Sequence, residues 1–210
     1  MLLLLVSLFF ACLAWREVRN ARASVQGFDR VSKVYLGFCL GLAVLSAWTP
    51  LKKLHFESFL SDRATQLAQR EASVHCNSAF NAMFDNAIGV IGHANPHTGD
   101  IVFQLSWCEQ LMDYLDAPHT ANTRERYSLM LFTHEVMHIR GELNEQKTEC
   151  QAIQRNHLAG ELLGISREIA ALHTLEYFER EYLRHPYFSE HCRPGGPLDE
   201  QLIGSAWYLQ

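Results

Sequence analysis

The sequence predicts an α+β domain carried behind N-terminal transmembrane helices, and three observations lead there. Two almost purely apolar runs, Met1–Trp15 and Val34–Trp48, fill most of the first fifty residues. From Leu51 onward the chain turns polar, and several long segments space their apolar residues at helical intervals. Two Ile- and Val-rich stretches, AIGVIGHA and DIVFQLSW, flank the turn signal Asn95-Pro96-His97-Thr98-Gly99, which reads as a β-hairpin of a small antiparallel sheet.

Residues 1–50 therefore read as a membrane anchor of one or two helices with a basic loop at 16–33, and residues 51–210 as the domain it carries. A bilayer-crossing helix needs about 20 apolar residues, with about 17 as the lower limit. The second run, VYLGFCLGLAVLSAWTPL, meets that limit and has Trp48, Lys52 and Lys53 as interfacial anchors. The first run is shorter and fits a short span or a signal-like segment. A cleaved signal peptide fits poorly, because no Lys or Arg precedes the apolar residues and the small-residue site Ala21-Arg22-Ala23 is distant and charged. Gly37 and Gly41 form a GxxxG spacing, a weak sign of helix pairing.

Between the runs, Arg16, Arg19, Arg22, Arg30 and Lys33 face only Glu17 and Asp29, which assigns this loop to the cytoplasmic side. The second span then exits, and the membrane-attached domain lies outside the cytoplasm. A buried hydrophobic hairpin of a soluble protein is the competing reading, disfavoured because charge-free runs of this length are rare in soluble domains. From Leu51 on, 13 Lys/Arg stand against 21 Asp/Glu. An acidic domain without a basic stripe excludes nucleic acid as the expected partner and leaves the lipid bilayer.

Of the six cysteines, Cys12 and Cys39 sit in the apolar runs as small hydrophobes. Cys76, Cys108, Cys150 and Cys192 belong to the polar part, where an extracytoplasmic setting suggests two disulfides with three pairings open. No CxxC spacing occurs, so a cysteine zinc ribbon is not expected.

The elements of the domain follow in order. Leu51–Glu71 reads as an amphipathic linking helix, with Leu54, Phe56, Phe59, Leu60, Ala64, Leu67 and Ala68 as its apolar set. After the hairpin, WCEQLMDYL forms a short helix that Ala117-Pro118 ends. Thr120 and Asn122 are candidate caps for a helix to about Ile139, with Gly141 as its stop. A second long helix starts near Asn144, and a third runs from about Ser166 to Arg184. The tail from His185 holds Pro186, Pro194, Gly195, Gly196 and Pro197 and reads as irregular, tied down through Cys192.

His134, Glu135 and His138 spell HExxH inside an apolar run. At about 100° per residue the two histidines lie about 40° apart on one helical face, one turn apart. Two imidazoles so placed can bind one tetrahedral zinc ion, and Glu135 projects to the same side, where it could act as general base on a metal-bound water. The bland alternative is an i,i+4 histidine pair with Glu135 on the surface. It must leave three polar groups solvated beside Leu129, Met130, Leu131, Phe132, Val136 and Met137.

HEVMH with a downstream glutamate resembles the zincin metallopeptidases, in particular their glutamate-liganded branch, the gluzincins. The resemblance covers about twenty residues. It implies a small zincin-like domain, a bound Zn2+, a peptide or protein substrate, and a third metal ligand supplied by a glutamate on the next helix. Asn144-Glu145-Gln146-Lys147-Thr148-Glu149 has the matching form. Glu145 would be the third ligand, and Glu149 would hydrogen-bond the far nitrogen of a ligand histidine, with Glu149 as the ligand itself left open. The interval between His138 and Glu145 is shorter than in the larger gluzincins. HExxHxxG is also similar to the metzincins, but their third histidine corresponds to Asn144 here, a poor zinc ligand.

By the same resemblance, Glu135 takes the proton of the attacking water, and an edge strand above the helix holds the substrate, with Asp100–Trp107 (DIVFQLSW) as the candidate. His157, His173 and Tyr127 are candidate oxyanion stabilisers with structural roles as the stronger reading, and His93 and His97 read as turn or surface residues. The expected function is that of a membrane-anchored zinc metallopeptidase. An intramembrane protease is excluded by the short apolar stretch around the motif, bounded by Arg124, Arg126 and Arg140. A non-catalytic zinc-binding receptor or scaffold domain that keeps a zincin fold is the alternative from another class.

Overall fold

The computed structural model describes residues 2–23, 27–77 and 91–208. The chain divides into two compact units, Met1–Phe56 and Glu57–Gln210. The first contains α1 (Leu2–Ala23) and most of the apolar half of α2 (Arg30–Ala68). Within it the Ser7 hydroxyl donates to the Ala43 carbonyl at 2.8 Å, and the small side chains of Ala14, Ala21, Cys39 and Ala43 are buried. Among the described residues, α2 is the one helix long and apolar enough to cross a membrane.

The expected basic loop at 16–33 is mostly helix. Arg16, Arg19 and Arg22 lie on the last turns of α1, and Arg30 and Lys33 on the first turns of α2. Arg, Glu and Ala are good helix formers, so nothing in this stretch stops α1 where its apolar residues run out. Gly27, between the two helices, has a φ of 64° that suits glycine. The linking helix expected at Leu51–Glu71 is likewise the continuation of α2, which passes through Pro50 and ends at Ala68. In the second unit its Leu60, Ala64, Leu67 and Ala68 are buried at the i, i+4, i+7, i+8 spacing of a core-facing stripe.

The sheet contains β1 (Ser73–Asn77), β2 (Gly92–Asn95) and β3 (Asp100–Gln104) in the order β1-β3-β2. The β2–β3 hairpin forms around the predicted turn, pairing Gly92 with Phe103 and Asn95 with Asp100. The sheet is mixed rather than antiparallel, because β1 adds to the other side of β3 in parallel. Asp100–Trp107 is therefore no edge strand: β3 is central, and Leu105 already begins the next helix. Its two sides are occupied because Val74 and Cys76 of β1 alternate into the core, a pattern too short to read locally. The part of AIGVIGHA before Ile91 lies outside the described residues.

Among the described residues four further helices belong to the unit: α3 (Leu105–Asp116), α4 (Thr123–Arg140), α5 (Glu145–Leu162) and α6 (Arg167–Arg180). Asn122 caps α4 through a capping box, accepting from the Arg124 and Glu125 amides while Glu125 accepts from the Asn122 amide. Ser166 caps α6. The third helix stops at Arg180 instead of Arg184, and a single 3-10 turn follows at Tyr182–Arg184. α4 is the central helix; its residues Ser128–Met130, Phe132–Met137 and Ile139 are all buried. α5 and α6 approach closely at Gly160, where an added Cβ would lie 2.6 Å from the Ala170 Cβ. Two disulfides close the unit: Cys76–Cys108 ties β1 to α3, and Cys150–Cys192 ties α5 to the C-terminal tail.

Candidate metal centre

Residues 141–144 fold α5 back beside the last turns of α4. Gly141 adopts φ 113°, which a side chain would strain, and its N–H donates to the His138 carbonyl at 2.9 Å. The Glu142 carboxylate then accepts from the Leu143 and Asn144 amides at 3.1 and 3.0 Å. Asn144 caps α5 by accepting from the Lys147 amide at 3.0 Å. These bonds set Glu145, the first residue of α5, opposite the two histidines.

Three atoms converge there. His134 Nε2 lies 3.1 Å from His138 Nε2 and 3.1 Å from Glu145 Oε2, and His138 Nε2 lies 3.4 Å from the same oxygen. The partners of the opposite ring nitrogens decide where the protons are. His138 Nδ1 is 2.8 Å from the Glu142 carbonyl oxygen, which can only accept, so this nitrogen carries the proton. His134 Nδ1 is 2.6 Å from Glu149 Oε2 and donates to that carboxylate. With each Nδ1 spent on an acceptor, the two Nε2 atoms face each other beside a carboxylate oxygen. A proton relieves one such contact, whereas a metal cation makes all three favourable. His134, His138 and Glu145 form a group that could hold a metal ion.

Glu149 is not among the converging atoms. It is 2% exposed, holds the far side of the His134 ring, and accepts a second hydrogen bond from the Tyr177 hydroxyl. Burial and Glu149 both push the Tyr177 phenol up, so it remains a donor. Burial opposes protonation of His134, but the Glu149 hydrogen bond and charge, with Glu135 and Glu145, outweigh it and raise its pKa. The pocket is thus electrostatically negative, as a cation site requires.

Glu135 is also buried and lines the same cleft, of about 730 Å³. Its carboxyl is pushed up to about 7, first by burial; His134 and the Ala94 backbone amide oppose the rise, and Glu145 and Glu149 add to it. β2 forms one wall of the cleft through Gly92, His93 and Ala94. Gly92 is required there: a Cβ on it would meet the Phe103 ring at 2.6 Å. Across the cleft stand His185, Pro186 and Tyr187. The Tyr187 ring stacks near His134 at a centroid distance of 5.6 Å, and burial raises its hydroxyl pKa, with Glu145, Glu135 and Glu149 adding.

The other sequence candidates separate. Tyr127 lies on the cleft wall, its hydroxyl 3.4 Å from His185 Nε2 and its pKa pushed up to about 12, chiefly by burial. His93 lines the cleft, while His97 sits in the exposed turn with its amide on Asn95 Oδ1. His173 bonds the Tyr114 hydroxyl at 2.8 Å, away from the three converging atoms. His157 is buried, has no hydrogen-bond partner on either ring nitrogen, and is pushed down to about 4, mainly by burial. Sequence reasoning misses Glu142, Tyr177, His185 and Tyr187. The local signal for the last two is the His-Pro-Tyr run at the head of the tail. No known protein family, curated protein or solved structure matches the chain.

Proposed function

We propose that this chain is a membrane-anchored, zinc-dependent metallopeptidase of the zincin type. The observation that carries the proposal is the triangle of His134 Nε2, His138 Nε2 and Glu145 Oε2, with Glu135 buried beside it. Tetrahedral zinc at about 2.0–2.1 Å from its ligands separates them by about 3.3–3.4 Å. The edges of 3.1, 3.1 and 3.4 Å fit that figure closely. Three protein ligands leave a coordination position free, the mark of a catalytic rather than a structural site.

A zinc ion held there would lower the pKa of a bound water and polarise the scissile carbonyl. Glu135, buried beside the three atoms, would take a proton from such a water and hand one to the leaving amine. Glu149 keeps the His134 tautomer fixed, and the Glu142 carbonyl does the same for His138. β2, which pairs among the described strands only with β3, offers its other edge to an extended peptide.

Anchoring is supported by the length and apolarity of α2. An extracytoplasmic domain is supported by its two disulfides and by the arginines and lysine between the apolar runs. The test is metal analysis and peptide hydrolysis by the full chain in detergent. Wild type is expected to carry about one zinc, His134→Ala to lose it, and Glu135→Gln to keep it without hydrolysis. Zinc-free wild type would sink the proposal. Zinc without hydrolysis would favour a non-catalytic zinc-binding receptor or scaffold.

A further inference from the structure

Beside the metal cleft lies a second cavity of about 600 Å³, and the two share the wall residues Ile91, Tyr127, Met130, His185 and Pro186. Their electrostatics are opposite. The metal cleft is built around Glu135, Glu145 and Glu149, whereas the second cavity is lined by Arg124, Arg126, Arg180 and Arg184. Against these stand Glu176 and Glu181. Arg126 is taken up by Glu176 and by the Ala121 carbonyl. Arg124, Arg180 and Arg184 are exposed and have no ion pair among the described residues.

Four of the 13 Lys/Arg beyond Leu51 thus gather in one chamber of a domain that is acidic as a whole. A chance distribution of solvated charge would interleave them with partners, as Arg155 pairs with Glu200. Guanidinium groups left free at a cavity mouth are suited to carboxylates, which they can grip with two parallel N–H bonds. Trp107, Tyr127 and Tyr177 line the same chamber and supply aromatic surface for the stem of such a group.

We propose that this chamber is a specificity subsite that takes a peptide carboxylate next to the scissile bond. The assignment rests on the peptidase reading, since it is the shared wall that makes the chamber a neighbour of the reacting bond. The carboxylate is supplied by an Asp or Glu side chain or by the peptide's own C-terminus. Selectivity comes from the arginines, and the metal cleft contributes none of it.

The experiment uses the zinc-loaded full chain in detergent at low salt. Peptides carry Asp or Glu, or the isosteric Asn or Gln, at each position within three residues of the cleaved bond, and each is made with a free and an amidated C-terminus. We expect acidic peptides to be turned over with about tenfold higher kcat/KM than their amides, falling as salt is added. The double variant Arg180→Gln/Arg184→Gln should bring that ratio to about one, and Arg180→Glu/Arg184→Glu should reverse it toward basic peptides. Preference lost on amidation assigns the carboxylate to the chain terminus, and preference retained assigns it to a side chain.

Equal turnover of acidic and amide peptides by wild type overturns the subsite and leaves the peptidase reading intact. If no peptide is cleaved, the peptidase reading fails, and fluorescence anisotropy on the Glu135→Gln protein decides the chamber separately. Tighter binding of a labelled acidic peptide that depends on Arg180 and Arg184 then upholds the chamber, and equal binding of the acidic and amide peptides overturns it. A melting temperature matched to wild type shows that the arginine variants fold.

Discussion

Replacing Glu149 and Glu145 separately by alanine distinguishes a residue that supports a ligand from one that is a ligand. Glu149 is 2% exposed and receives hydrogen bonds from His134 Nδ1 and the Tyr177 hydroxyl. Its removal leaves two buried donors without an acceptor. Hydrogen bonds to a charged partner contribute about 1.5–3 kcal/mol each, so Glu149→Ala should cost roughly 3 kcal/mol in the metal-free protein. For a unit of this size that corresponds to a melting point about 6–12 °C lower. Metal affinity should fall about 10- to 100-fold, or about 1.4–2.7 kcal/mol, because His134 is no longer held in its tautomer and orientation.

Glu145 is different: its side chain is 45% exposed and its contacts are the two Nε2 atoms. Glu145→Ala should leave metal-free stability within about 0.5 kcal/mol, yet weaken metal binding more than Glu149→Ala does. The assay is zinc competition against a chromophoric chelator, paired with thermal unfolding in excess EDTA, on the full chain. An affinity loss for Glu149→Ala larger than that for Glu145→Ala would refute the assignment, as would wild-type affinity in Glu149→Ala.

His157 is buried without a partner and its pKa is lowered to about 4, so between about pH 6.5 and 4 the unfolded chain takes up a proton that the folded one refuses. Its contribution is fully present above about pH 6.5 and is lost as pH falls, by roughly 3 kcal/mol at pH 4; His157→Leu should flatten that part of the melting-point profile and be no less stable at pH 7.5. Gly160→Ala would place a Cβ 2.6 Å from the Ala170 Cβ and should lower stability by about 1–3 kcal/mol, read as a lower melting point. Cys150→Ser/Cys192→Ser opens a loop with a sequence separation of 42, which should cost about 4 kcal/mol and make the segment bearing His185 and Tyr187 more sensitive to limited proteolysis.

What could be read in the linear chain is what depends on neighbours within about one helical turn. Asn122, Gly141, Asn144 and Ser166 sit at the helix boundaries their chemistry favours. His134, Glu135, His138 and Glu145 come together because two helices and a short turn leave little freedom between them. Tyr177 reaches Glu149 across 28 residues, and Tyr187 arrives from the tail; no periodicity announces such contacts. The parallel strand β1 escaped for the same reason, since its partner is the far strand of the hairpin and its alternation spans few residues. In the N-terminal unit the apolar runs are plain, but their ends are not the helix ends, because helix propensity continues after hydrophobicity stops.

The two histidines are steadied by acceptors of different kinds. His134 leans on a carboxylate that a single codon change can delete, whereas His138 leans on the main-chain oxygen of Glu142. Alanine at position 142 would therefore remove the carboxylate that accepts from the Leu143 and Asn144 amides but not the carbonyl that accepts from His138, since every residue there brings the same carbonyl. The vulnerable position for His138 is Gly141, whose left-handed conformation turns that oxygen back toward the ring. The hold on the His138 ring is thus written in backbone shape, where substitution of the contacting residue keeps the acceptor atom and substitution of its silent neighbour moves it.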